Sequence, residues 1–152
     1  MARLGSSSQG AFPLGLPRVL LVDDHPGFRG ACAQLLDREF AIVGQLDGAL
    51  ELTAAVKKLV PDAILLDISM PGISGLDAAE QLLKELPKTK IVFLSALDDR
   101  ASITRAFQLG AAGYVLKRSA TDLMAALHQV LEGKRYLSPA LDRPRGFGGI
   151  VF

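Results

Sequence analysis

The chain has 152 residues, 49% of them hydrophobic, a formal net charge of +1 and one cysteine. The length suffices for one domain with a full core, the composition excludes a disordered chain, and the near-neutral charge argues against a nucleic-acid-binding surface. A lone Cys32 excludes an intramolecular disulfide and fits a reducing compartment, and no apolar run approaches the roughly 20 residues of a bilayer span, so a cytoplasmic location is expected.

Residues 1–17 are rich in Gly, Ser and Pro and lack the sustained apolar stretch of a secretory signal. They read as a flexible leader. A first strand is expected over Arg18 to Val22, an apolar run ending at Asp23-Asp24. Pro26 suits the first turn of a helix, and Phe28, Ala31, Cys32, Leu35 and Leu36 follow at the spacing of one helical face. Phe40 to Leu46 reads as a second strand. Leu52, Ala55, Val56, Leu59 and Val60 repeat the helical spacing, and Pro61 stops that helix. The third strand, Ala63 to Leu66, ends at Asp67. A loop from Ile68 through Gly72 leads to a third helix with Ala79, Leu82, Leu83 and Leu86 inward and Pro87 at its end.

Ile91 to Leu94 forms the fourth strand, ending at Ser95. A fourth helix places Ile103, Ala106 and Phe107 on one face, with Gly110 as its C-terminal cap. Gly113 to Leu116 forms the fifth strand, ending at Lys117. The fifth helix is expected to begin near Ser119-Ala120-Thr121-Asp122, a start like a capping box, and to carry Leu123, Leu127, Val130 and Leu131 inward before Gly133. Five β-α units in strict alternation predict an α/β fold with a parallel sheet and helices on both faces. The folded domain is expected over residues 18–134, with a tail or linker over residues 135–152.

Chemistry in an open α/β sheet gathers at the carboxyl ends of the strands. Three carboxylates, a hydroxyl and an ammonium should therefore meet at one edge. Asp67 follows only apolar residues in its strand, where a carboxylate is either a costly defect or a functional group. Asp23 and Asp24 end the neighbouring strand, and a hard divalent ion would relieve the repulsion among three acidic groups. Mg²⁺ commonly sits between one or two carboxylates and a phosphate. A carboxylate can also act as a nucleophile and form an acyl phosphate. Lys117 would supply a positive charge for phosphate oxygens, and Ser95 a hydroxyl hydrogen bond.

Asp23-Asp24, Asp67 before Met70-Pro71-Gly72, Ser95-Ala96, and Gly113-Tyr114-Val115-Leu116-Lys117 resemble the motifs of receiver domains of bacterial two-component response regulators. The resemblance covers residues 18–134. It implies a flavodoxin-like, doubly wound sheet of five parallel strands in the order 2-1-3-4-5. It further implies that Asp67 accepts a phosphoryl group from a sensor histidine kinase. Asp23, Asp24, Asp67 and the backbone carbonyl of Ser69 would hold Mg²⁺, and Lys117 would pair with the phosphoryl group. Ser95 and Tyr114 would be the switch residues, Tyr114 turning its ring inward on activation.

The stretch from Ser119 to Leu141 and the Asp23-Asp24-His25-Pro26 run resemble receivers of the NarL/LuxR type, which precede a helix-turn-helix. Only DRPRGFGGIVF follows Leu141, so this chain is not expected to bind DNA directly. The expected function is a phosphorylation switch that controls transcription through an output domain. Pairing between receivers, as homodimers or with relatives, is a further expectation, and no membrane partner is expected.

Other readings are weaker. A phosphatase using an aspartate nucleophile in the manner of the haloacid dehalogenases needs a second Asp where this chain has Ser69, so the chain is not expected to be a turnover enzyme. A dinucleotide site needs G-x-G-x-x-G where the chain has Asp23-Asp24-His25-Pro26-Gly27. A phosphorylation-independent interaction module would be marked by lost site residues, and none is lost. His25 and His128 read as solvent-facing and Cys32 as a small core hydrophobe. The resemblance also implies that the side chains two positions after the phospho-accepting Asp67 and after Ser95, here Ser69 and Leu97, influence the hydrolytic water; Leu97 cannot hydrogen-bond it and Ser69 is short, so slow self-hydrolysis of a phosphorylated Asp67 is expected.

Overall fold

A computed structural model describes residues 15–141. Eleven regular elements follow in alternation: β1 Arg18–Val22, α1 Pro26–Leu36, β2 Ala41–Leu46, α2 Leu52–Leu59, β3 Ala63–Asp67, α3 Gly75–Glu85, β4 Ile91–Ser95, α4 Arg100–Gln108, β5 Gly113–Leu116, α5 Leu123–Leu131 and β6 Tyr136–Leu137. The sheet runs in the order β2-β1-β3-β4-β5-β6 with every pair parallel. The expected order 2-1-3-4-5 is present. The sixth strand is an addition that the five-strand reading missed, and it lies in the stretch expected as a tail. Two residues, Tyr136 and Leu137, are too few for an alternating pattern to stand out; pairing with β5 makes them a strand.

Alternation along the strands divides the core in two. Leu20, Val22, Ile64, Leu66, Ile91 and Phe93 point to a face covered by α2, α3 and α4. Val19, Leu21, Ala63, Leu65, Val92 and Leu94 point to the opposite face, covered by α1 and α5 through Cys32, Leu36, Leu123, Leu127 and Val130. Each fully buried Leu or Val contributes about 1.5–3 kcal/mol relative to exposure. That double burial is why β1, β3, β4 and β5 read as unbroken apolar runs.

Three local expectations are corrected. In α1 the inward stripe is Phe28, Cys32 and Leu36, while Leu35 and Ala31 face solvent. A helix lying on a sheet buries a narrower stripe than its apolar residues allow. Val60 is not on the inward face of α2 but caps it in the left-handed region, with φ 48° and ψ 59°, and is exposed. The fifth helix does not begin at Ser119. A 3-10 turn spans Lys117–Asp122, Ser119 is non-helical within it, and no side chain caps α5. The N-cap of α4 is Asp99, whose carboxylate accepts from the Ser102 N–H.

Register sets the functional edge. Val22 pairs with Leu66, Asp67 with Leu94, and Ser95 with Leu116. The next residues of β1 and β5, Asp23 and Lys117, therefore emerge beside Asp67 and Ser95.

Candidate functional site

Asp23 and Asp67 are 3% and 2% exposed, so two carboxylates sit buried side by side. One oxygen of Asp23, Asp24 and Asp67 and one His25 ring nitrogen all lie within 4.8 Å of one another. The Lys117 ammonium is 2.9 Å from Asp23 Oδ2 and 3.2 Å from Asp67 Oδ2. Its other side rests on the Phe28 ring, 4.8 Å from the centroid. The structure thus gathers Asp23, Asp24, Asp67 and Lys117, as expected from the sequence.

Burial pushes the Asp67 carboxyl above the ordinary carboxylate range and the Asp23 charge adds to this, while Lys117 opposes it. Burial would lower the Lys117 ammonium, but the hydrogen bond to Asp23 and the charges of Asp67 and Asp23 outweigh it and raise the pKa. Nearby Cys32 is pushed up to about 11, mainly by burial and next by Asp23, so its thiol stays protonated.

Backbone N–H groups fix Asp67 and the loop that follows it. The Ser69 N–H donates to Asp67 Oδ1 at 3.2 Å, and the Gly75 N–H donates to the Ile68 carbonyl at 2.8 Å. A Cβ on Gly75 would lie 2.1 Å from the Asp67 carbonyl oxygen, so only glycine lets the start of α3 sit this close to the site. Ser74 caps α3 by accepting from the Asp77 N–H.

Ser95 is fully buried, and its Oγ accepts from the Leu97 N–H at 2.9 Å. The Tyr114 ring, expected to turn inward on activation, is already inward and buried here, with its hydroxyl donating to the Leu97 carbonyl at 2.7 Å. Burial pushes the Tyr114 phenol up to about 12, against the effect of a hydrogen bond with Ser95. Ser95 and Tyr114 thus converge on one peptide segment, the chain between β4 and α4.

The donor set suits a small hard cation. It holds three carboxylates, and the buried Asp24 Oδ1 makes no well-formed hydrogen bond, meeting only the His25 ring nitrogen. His25 enters the cluster unexpectedly. Its ring is largely exposed, as the sequence suggested, but Nδ1 lies 3.2 Å from Asp23 and 3.1 Å from Asp24. Its place directly after the acidic pair was the available signal. Phe28 and Gly75 were also missed. Phe28 was assigned only to the helix core, and close backbone approach at Gly75 leaves no mark in a sequence.

A doubly wound sheet in this order, with buried carboxylates and a lysine at the carboxyl edge of its central strands, defines a receiver-type α/β protein. The response regulator receiver domain model matches residues 19–128, and the chain belongs to that family. It is 39% identical to the response regulator GacA of Pseudomonas aeruginosa over 127 residues, covering 82% of this chain and 59% of that protein. It is 36% identical to the nitrate/nitrite response regulator protein NarL of Escherichia coli K12, covering 81% of this chain and 58% of that protein. The chain thus spans less than two thirds of these relatives. Among solved structures, a LuxR-family two-component response regulator from Aurantimonas aligns with a TM-score of 0.81 and 28% identity, over 88% of this chain and 96% of that one. The signal receiver domain of the NarL response regulator from Mycobacterium tuberculosis aligns with a TM-score of 0.73 and 32% identity, over 78% and 98%. The chain is a receiver domain close to the GacA and NarL/LuxR types. Among the described residues, no helix is long and apolar enough to cross a membrane.

Proposed function

We propose that this domain takes a phosphoryl group from a sensor histidine kinase onto Asp67. The observation that supports this most is the setting of Asp67: 2% exposed, with the Lys117 ammonium bridging it to the Asp23 carboxylate. In the transfer the kinase's phosphohistidine P–N bond breaks, a P–O bond forms to an Asp67 carboxylate oxygen, and the imidazole leaves. The Asp67 carboxylate is held for attack by the Ser69 N–H. Lys117, already held between Asp23 and Asp67, presents its positive charge to the incoming phosphoryl oxygens. Asp23, Asp24, Asp67 and the Ser69 carbonyl would hold Mg²⁺, which when bound supplies charge neutralisation for the phosphoryl oxygens.

Ser95 and Tyr114 carry the signal outward. A phosphoryl oxygen on Asp67 would accept from the Ser95 hydroxyl, and turning toward it would draw Ser95 Oγ away from the Leu97 N–H that now donates to it. The Leu97 carbonyl is the partner of the Tyr114 hydroxyl, so a shift of the chain between β4 and α4 is felt at Tyr114 as well. The responding face is α4, β5 and α5, through which receivers pair as homodimers or with relatives to control transcription by an output domain. The domain acts as a cytoplasmic switch and not as a turnover enzyme. It does not itself bind DNA.

The test is mass spectrometry after incubation with acetyl phosphate and Mg²⁺. A single phosphoryl adduct on Asp67 is expected, lost in Asp67→Asn and suppressed by excess chelator. An adduct retained in Asp67→Asn would refute the assignment.

A further inference from the structure

Among the described residues, four polar or charged side chains are buried: Asp23, Asp67, Ser95 and Ser138. The first three belong to the site above. Ser138 lies beyond residues 19–128, directly after β6, and is wholly buried. A buried hydroxyl is costly unless bonded, and this one is bonded to the end of β5.

β6 feeds its N–H groups to the open edge of β5 at two-residue intervals. The Tyr136 N–H donates to the Ala112 carbonyl at 2.9 Å, and the Ser138 N–H to the Tyr114 carbonyl at 3.0 Å. Pro139 then breaks the strand. The next edge group, the Leu116 N–H, donates instead to Ser138 Oγ at 3.1 Å. The hydroxyl therefore finishes a ladder that the backbone does not. Packing secures the segment on both sheet faces. Tyr136 joins the α1–α5 core, while Leu137, Ala140 and Leu141 join the opposite core, to which Tyr114 also belongs.

The peptides held in this way are those of the site. The Tyr114 carbonyl is itself one of the two clamped groups, and Leu116, whose N–H meets Ser138 Oγ, is bonded directly to Lys117. We propose that Ser138 is a positioning residue for phosphotransfer: it fixes the end of β5 and thereby holds the Lys117 ammonium between Asp23 and Asp67. This rests on the phosphoryl-acceptor role of Asp67, and it extends the machinery past α5 into a segment that reads as a tail.

The full chain is tested as Ser138→Ala, Ser138→Cys and Ser138→Thr, with Val130→Ala on α5 as a destabilising control outside the site. Two readouts are taken: the rate of Asp67 labelling by acetyl phosphate at fixed Mg²⁺, and the Lys117 side-chain ammonium resonance in the unphosphorylated protein. Ser138→Ala is expected to slow labelling about tenfold, the effect of one lost buried hydrogen bond, and to shift the Lys117 resonance. Ser138→Cys, a similar volume with a poor acceptor, should fold and show the same change, and Ser138→Thr should restore both readouts. Val130→Ala should lower the melting temperature with both readouts unchanged. Wild-type behaviour in Ser138→Cys, failure of Ser138→Thr to restore, or equal slowing in Val130→Ala would overturn the proposal. If wild type itself takes no label, the phosphoryl-acceptor reading fails, and the Lys117 resonance alone decides whether Ser138 positions the ammonium.

Discussion

Replacing Gly75 with alanine tests whether the start of α3 must press against Asp67. The added Cβ would lie 2.1 Å from the Asp67 carbonyl oxygen and 2.9 Å from both the Asp67 carbonyl carbon and the Ile68 Cα. All three are backbone atoms, so no side-chain rotation relieves the overlap. The two segments must part by roughly 1 Å to reach ordinary van der Waals contact. Overpacking of this kind costs about 1–3 kcal/mol, and a backbone-on-backbone clash belongs at the upper end. For a domain of this size, about 3 kcal/mol lowers the melting temperature by roughly 10–15 °C. Parting the segments also strains the Gly75 N–H bond to Ile68 and the loop carrying Ser69, so labelling of Asp67 should fall together with stability. The control is Gly30→Ala in α1, where an added Cβ meets nothing within 4 Å. That change should stabilise by about 0.5–1 kcal/mol, from helix propensity. Urea denaturation of both variants, followed by acetyl phosphate labelling, gives the two measurements. If Gly75→Ala lost less than about 0.5 kcal/mol, the close approach would not constrain the site and the reasoning would fail.

Val60→Gly should stabilise the protein by about 0.5–1 kcal/mol, because an exposed β-branched residue at φ 48° carries steric strain that glycine lacks; a lower melting temperature would refute this. Asp67→Asn should be more stable than wild type at pH 7. The wild-type carboxyl has a folded pKa raised by burial and by Asp23, so its ionisation costs stability as pH rises from the ordinary value of 3.8 through the raised one. The advantage of the mutant should shrink as pH falls back through that window, and an advantage constant down to pH 3 would show that another group is responsible. Phosphorylated Leu97→Glu should lose its phosphoryl group faster than wild type at constant Mg²⁺. Leu97 is partly exposed beside the Ser95 and Tyr114 contacts, and a carboxylate there can orient water where a leucine cannot. Unchanged or slower decay would show that Leu97 does not control the water.

Much of this protein was legible in one dimension. The apolar runs of β1, β3, β4 and β5 are continuous because both sheet faces are covered, and Asp23, Asp67, Ser95 and Lys117 each stand at or just past the end of one. Parallel strands share a carboxyl edge, so strand-end residues with the right chemistry must converge, and their order could be read without coordinates. Distances could not. That Lys117 bridges Asp23 and Asp67, and that Gly75 touches the Asp67 backbone, follows from which strands are neighbours and how closely α3 approaches. Helix spacing marked Leu35 and Val60 as inward because periodicity records amphipathicity, while the packed sheet decides how wide a stripe is buried. The sixth strand and Ser138 were hidden for a related reason. Tyr136 and Leu137 carry too short a pattern to declare a strand, and only the unpaired edge of β5 makes that segment part of the sheet.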